Sequence, residues 1–174
     1  VEDNEVNRTI ALDMLAHLGI KAETAENGAQ ALEKLALAAY DIVFMLGSLH
    51  HALDLERVLA RVRAALRPGG IFVANEYIGP SRWQYTLPQI LLVKTLLTLL
   101  PRRLRRRTDG SLKGRVGRPT LAWMHATDPS EAAHSAEIPA RFAAHFRQTH
   151  RIDYGGAITL PVLDEIIASF HEER

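Results

Sequence analysis

Two histidines stand side by side at positions 50 and 51, in a polar loop that follows the apolar run Asp41-Ile42-Val43-Phe44-Met45. A neutral imidazole can orient a substrate there or take a proton from an attacking hydroxyl near pH 7. Glu76 follows a second apolar run, Ile71 to Asn75. Its carboxylate can face the same substrate or bond loop amides. His50, His51 and Glu76 are therefore the candidate catalytic residues. No third donor at ligand spacing accompanies the histidines, so no metal centre is expected. Trp83 and Tyr85 are candidates to line an apolar substrate pocket, against the plainer role of packing in a lid. Arg102, Arg103, Arg105, Arg106 and Arg107 form a dense basic patch. It follows an apolar helix and lacks interleaved aromatics, which favours a solvated helix end over a phosphate-binding surface.

The elements that must position these groups alternate between helix and strand. Val6, Ile10, Met14 and Leu18 recur at helical spacing, and Gly19 suits a C-terminal cap. A short strand is expected at Ile20 to Ala25, a turn at Asn27-Gly28, and a helix over Ala29 to Ala39. The run 41–45 reads as a strand buried on both faces. Asp54 can cap a helix ending near Leu66, and Pro68-Gly69-Gly70 turns the chain into a strand over Ile71 to Asn75. A mostly parallel sheet follows, with its ligand crevice at the carboxyl ends of the strands. After Tyr77 the pattern changes. Thr86 with Pro88 starts a helix running to about Leu100, short helices start at Pro119, Pro129 and Pro139, and residues 108–118 are rich in chain breakers. A strand at Arg151 to Tyr154 and a helix from Pro161 to Phe170 close the pattern.

Two family resemblances overlie this reading. Residues 1–45 resemble the opening of a response-regulator receiver domain, on the acidic pair Glu2-Asp3, on Asn4, on Glu26-Asn27-Gly28-Ala29 and on Tyr40-Asp41-Ile42-Val43-Phe44-Met45. In that family the acidic pair binds magnesium and an aspartate after the third strand accepts the phosphoryl group. Leu46 occupies that position, and its side chain has no oxygen with which to attack phosphorus or ligate a hard cation. Aspartyl phosphorylation is thus expected to be lost and the pair Glu2-Asp3 to be vestigial.

From Leu46 to about residue 170 the chain resembles a class I S-adenosylmethionine-dependent methyltransferase. The residues are Leu46-Gly47-Ser48-Leu49-His50-His51, Leu66-Arg67-Pro68-Gly69-Gly70-Ile71-Phe72-Val73 and Asn75 to Gln84. The resemblance implies a transferase that moves a methyl group from S-adenosylmethionine to a small molecule. It implies cofactor contacts at Gly47, Ser48 and Leu49. It also makes Glu26 a candidate partner for the cofactor's ribose hydroxyls, against the plainer role of a solvated loop carboxylate. The family's glycine-rich loop has no counterpart in Glu2 to Asn7, which contains no glycine, so cofactor affinity and activity are expected to be impaired. The alternatives are a receiver-like signalling module without its phosphoacceptor, or a catalytically silent chimeric scaffold.

The fold expected is α/β: a Rossmann-like three-layer α/β/α domain over residues 1–174, with a mostly parallel sheet. Within it lie a receiver-like half at 1–45, a methyltransferase-like half at 46–78, a helical insertion or lid at 79–147, and a C-terminal strand and helix at 148–174. The composition fits one such unit, with 174 residues and 47% hydrophobic content. Its 21 basic against 20 acidic side chains give no global field to attract nucleic acid. The absence of cysteine excludes disulfides and thiol nucleophiles and fits a reducing compartment. No run reaches the roughly 20 apolar residues of a membrane span, and Val1 to Asn4 is acidic rather than leader-like. A cytoplasmic location is expected. The abrupt opening at Val1 is expected of a partial or recombined chain, and an unpaired sheet edge would favour homo-oligomers.

Overall fold

The computed structural model describes residues 5–114 and 116–170. Glu2, Asp3 and Asn4 lie outside the described residues. Seven α-helices and two strands carry the described fold. They are α1 (Glu5–His17), α2 (Gly28–Leu37), β1 (Tyr40–Leu46), α3 (Leu55–Ala65), β2 (Leu66–Asn75), α4 (Leu87–Leu99), α5 (Leu121–Thr127), α6 (Ile138–His145) and α7 (Gly156–Leu163). None of the helices is long and apolar enough to cross a membrane.

The apolar run at 41–45 forms a strand, as expected, and it pairs in parallel with β2 across the α3 crossover. Ile42 faces Ile71, Phe44 faces Val73 and Leu46 faces Asn75. The segment Pro68-Gly69-Gly70 does not precede the strand as a separate turn. It is absorbed into β2 as an irregularity, because the ladder steps from Tyr40–Leu66 directly to Ile42–Ile71. A side chain at Gly70 would come within 2.9 Å of the Arg67 carbonyl and 3.1 Å of the Asp41 carbonyl, so glycine lets the two backbones approach there.

Helix α3 shows how the sequence builds the core. Asp54 caps it by accepting the Arg57 amide proton at 2.9 Å. Leu55, Leu59 and Val62 then recur on one stripe and are buried. They pack with Val43, Met45, Leu49 and Ile138. Phe72, Phe142 and Phe146 close this core as a triangle of rings, with centroids 5.1 to 5.2 Å apart. A second core lies away from the sheet, where Val93 and Leu97 of α4 meet Val162 and Ile166.

Helix α4 begins in a capping box. Thr86 accepts from the Gln89 amide at 3.4 Å, and the Gln89 side chain accepts from the Thr86 amide at 2.8 Å. Thr86→Ala is expected to destabilise the protein by about 1 kcal/mol, read as a shift of the urea midpoint without a change in slope.

Several expectations need correction. No strand forms at 20–25 or 151–154, so the described sheet has two strands rather than a larger parallel set. A strand persists only where a neighbour takes up its amides and carbonyls, and Asp153 instead pairs locally with Arg151 at 2.8 Å. The strand at 41–45 is not buried on both faces: the core with α3 and α6 covers Val43 and Met45, while Ile71 and Val73 on the opposite side of the sheet are exposed. Helix α1 forms where expected, yet Val6, Ile10 and Met14 are exposed along it. The last helix was expected from Pro161 to Phe170. The chain is instead helical from Gly156, breaks after Leu163, and makes a short 3-10 turn at Ile167–Phe170.

Candidate functional site

The two strands run parallel and end level, at Leu46 and Asn75, where the Gly47 amide donates to the Asn75 carbonyl at 2.8 Å. The loop after β1 and the first residue after β2 therefore emerge together, as the carboxyl ends of parallel strands require. Gly47 makes the bend with φ of +62°, a conformation that favours glycine.

Glu76 organises this corner. Its Oε1 accepts from the amides of Ser48 at 2.9 Å and Leu49 at 2.6 Å. Its Oε2 lies 3.3 Å from the His50 amide and 2.8 Å from His50 Nδ1. The side chain is only 2% exposed. A buried carboxylate held by four donors is fully satisfied and fixes both the loop and the ring. Because the carboxylate accepts, His50 donates to it from Nδ1, and Nε2 points away from Glu76 toward Glu131.

His51 is oriented in the same sense by a different chain of bonds. Ser130 donates its hydroxyl proton to Asp128 Oδ1 at 2.6 Å, so its oxygen accepts from His51 Nδ1 at 3.1 Å. Asp128 also accepts the amides of Ser130 and Glu131. The bonds from Ser130, more than the charge of His51, hold its carboxyl below the ordinary carboxylate range. The imidazoles lie 4.3 Å apart between centroids. Glu131 faces both, with Oε1 3.7 Å from His50 Nε2 and Oε2 3.6 Å from His51 Nε2.

Glu131 is held by a strained turn. Arg82 and Trp83 both adopt left-handed backbone, with φ of 55° and 51°. The Arg82 amide donates to the Ala132 carbonyl at 2.7 Å and its guanidinium to the Pro129 carbonyl at 2.6 Å. These two bonds bracket Glu131 on either side along the chain.

A cleft of about 540 Å³ opens beside the loop, and Glu26, Gly47, Ser48, Leu49 and His51 all line it. Gly28 borders the same space, and a methyl group added at Gly28 or Gly47 would meet nothing within 4 Å. Glu26 also pairs with Arg8 at 3.3 Å. A smaller cleft of about 330 Å³ lies at the strand ends, between Leu46, Gly47, Asn75, Glu76, Tyr77 and Tyr154.

Trp83 and Tyr85 line neither cleft. Tyr85 is buried, and burial is the main cause that pushes its phenol above the ordinary range. Burial, reinforced by Tyr85, raises Tyr77 still further, so both hydroxyls stay protonated. Arg102, Arg103 and Arg105 lie in a 3-10 turn beyond α4, and Arg107 is bonded to Glu165 at 2.7 Å. Sequence reasoning did not pick out Asp128, Ser130 and Glu131. Asp128-Pro129-Ser130 does carry a cap-like pattern, but nothing in it points to His51.

At this corner His51, held by Ser130, lines the larger cleft beside the ends of the two parallel strands. Residues 8–72 match the family model described as "Methyltransferase domain", which supports a methyltransferase domain over that stretch. The match starts well before Leu46 and runs through the part that resembles a receiver. A 44-residue segment, 25% of the chain, is 48% identical to part of "Hybrid signal transduction histidine kinase K" of Dictyostelium discoideum. It spans 4% of that protein's length. No solved structure matches the chain.

Proposed function

We propose that this chain transfers a methyl group from S-adenosylmethionine to a small molecule that must lose a proton as it is methylated. The observation that carries this reading is the pair of oriented imidazoles at the strand ends: Glu76 holds His50, and the adjacent His51, bonded to Ser130, lines a cleft of suitable size. The family match over residues 8–72 supports the chemistry. The cleft's volume falls in the range of roughly 300–1,000 Å³ common to small-molecule sites.

The residues present fit the cofactor in part. Open space over Gly28 and Gly47 gives a ligand room to approach the backbone, and Glu26 supplies a carboxylate for ribose hydroxyls. The Arg8 pairing competes for that carboxylate, and residues 5–7 contain no glycine, so weak binding is the expectation. When bound, the cofactor supplies an electrophilic methyl group. Ser48 and Leu49 would then form one wall. His51 would accept the proton at the cleft, Glu76 fixes the neighbouring His50 ring and the loop, and the apolar lining from Ala31, Leu32 and Val58 excludes water.

Calorimetry with S-adenosylhomocysteine in the presence of chelator tests cofactor use. A dissociation constant between about 10 μM and 1 mM is expected, weakened at least tenfold by Gly47→Val. No heat at millimolar ligand would sink the reading. A second reading, a signalling module built on the receiver-like residues 1–45, draws on the 44-residue likeness to the histidine kinase. It must do without a phosphoacceptor at Leu46, and it predicts partner binding that is indifferent to phosphoryl donors.

A further inference from the structure

We propose that His50, His51 and Glu131 form a binding site for a divalent transition metal of the zinc type. Three donor atoms, one from each residue, lie within 4.8 Å of one another. The proposal shares both imidazoles with the proposed methyl-transfer site but does not rest on that activity.

The first argument is the orientation of the rings. Metal-ligating histidines commonly donate the second ring proton to a carboxylate or other acceptor, which fixes the tautomer and raises ligand basicity. Both rings meet that requirement by independent routes. His50 Nδ1 donates to Glu76, and His51 Nδ1 donates to Ser130, itself anchored on Asp128. Each Nε2 therefore turns toward the same carboxylate, that of Glu131.

The second argument is distance. The Nε2 to carboxylate separations of 3.7 and 3.6 Å are too long for good hydrogen bonds. They are close to the edge of a tetrahedron with bonds of roughly 2.0–2.1 Å, which places donors about 3.4 Å apart. The two separations run to different oxygens of Glu131 and all three donors lie within 4.8 Å of one another, so the rings and the carboxylate draw together when they share one ion. Two imidazoles and one carboxylate select zinc-type ions over magnesium, which prefers oxygen ligands and retains its water.

The third argument is preorganisation. Glu131 is fixed from both sides by Arg82, through the Pro129 and Ala132 carbonyls, and the local backbone holds left-handed strain at Arg82, Trp83 and Ala132. Strain of this kind persists only where surrounding bonds over-determine it. The donor side chains are partly exposed, 14% for His50, 32% for His51 and 20% for Glu131. An ion can therefore enter and keep a fourth position for water or another ligand. Metal on His51 Nε2 would occupy the nitrogen that accepts a proton in the proposed methyl transfer, so the two uses of this imidazole exclude each other.

The test uses the chain stripped with chelator, reloaded with Zn²⁺ or Co²⁺, desalted and assayed for metal without cofactor present. One Zn²⁺ per chain is expected, together with a Co²⁺ visible spectrum of tetrahedral strength. His51→Ala and Glu131→Ala should each weaken binding at least 100-fold. Arg82→Ala and Ser130→Ala, which only position ligands, should weaken it about 10- to 100-fold. His150→Ala, at an exposed position elsewhere, should leave it unchanged. Absence of stoichiometric Zn²⁺, an octahedral Co²⁺ spectrum, or undiminished binding in the His51→Ala/Glu131→Ala double variant would overturn the proposal. The cofactor experiment runs in chelator, so either idea can fail without the other.

Discussion

Glu76→Gln is expected to lower methyl transfer by about 10²- to 10⁴-fold at saturating substrate. The carboxylate now accepts three loop amides and the His50 ring proton with its two oxygens. Glutamine keeps one oxygen and turns an NH₂ group toward a donor in place of the other. The His50 ring or a loop amide then loses the acceptor that fixes it, and the loop that brings His51 to the cleft loses an anchor. A stability loss of about 1–3 kcal/mol should accompany this, because a buried donor is left without a partner. The two effects separate in a double-variant cycle. If the pair works as one device, Glu76→Gln combined with His50→Gln should be no slower than either single change. Multiplied losses, with the fold intact by circular dichroism, would refute the dyad.

Leu59→Ala is expected to be the most damaging change in the core, costing about 2–5 kcal/mol. Leu59 is fully buried between the sheet and the α3–α6 interface, among Val43, Val62 and Ile138. Surrounding residues cannot collapse onto the vacated volume without breaking the ladder between β1 and β2 or the ring triangle of Phe72, Phe142 and Phe146. Denaturant titration should show a lower midpoint at unchanged slope. A loss under 1 kcal/mol would mean that the core is loosely packed there.

The sequence made the first core legible because its signals are local and mutually consistent. An apolar run at 41–45, the cap at Asp54 and the stripe Leu55, Leu59, Val62 each point to one element, and the crossover between two strands follows from their order. Placing His50, His51 and Glu76 at one corner followed from the same order, since parallel strands end on the same side. The segments at 20–25 and 151–154 misled because alternation describes what a strand would bury, not whether a neighbouring ladder exists to pair with it. Pro68-Gly69-Gly70 has the composition of a turn, and only the pairing with β1 shows that it lies within the strand. Glu131 was invisible for a related reason. Its partners are His50 and His51, far away along the chain, and the residues that hold it, Arg82 and Ser130, carry no ligand signature of their own.

The carboxylate at the end of β2 serves as a keystone as well as the anchor of the His50 ring. Ser48 and Leu49 form a wall of the larger cleft, while His50 follows them directly on the same short arc, and one side chain secures all three. A molecule that pushes this wall outward must also tilt the ring, so occupancy of the cleft and the aim of the imidazole are mechanically linked.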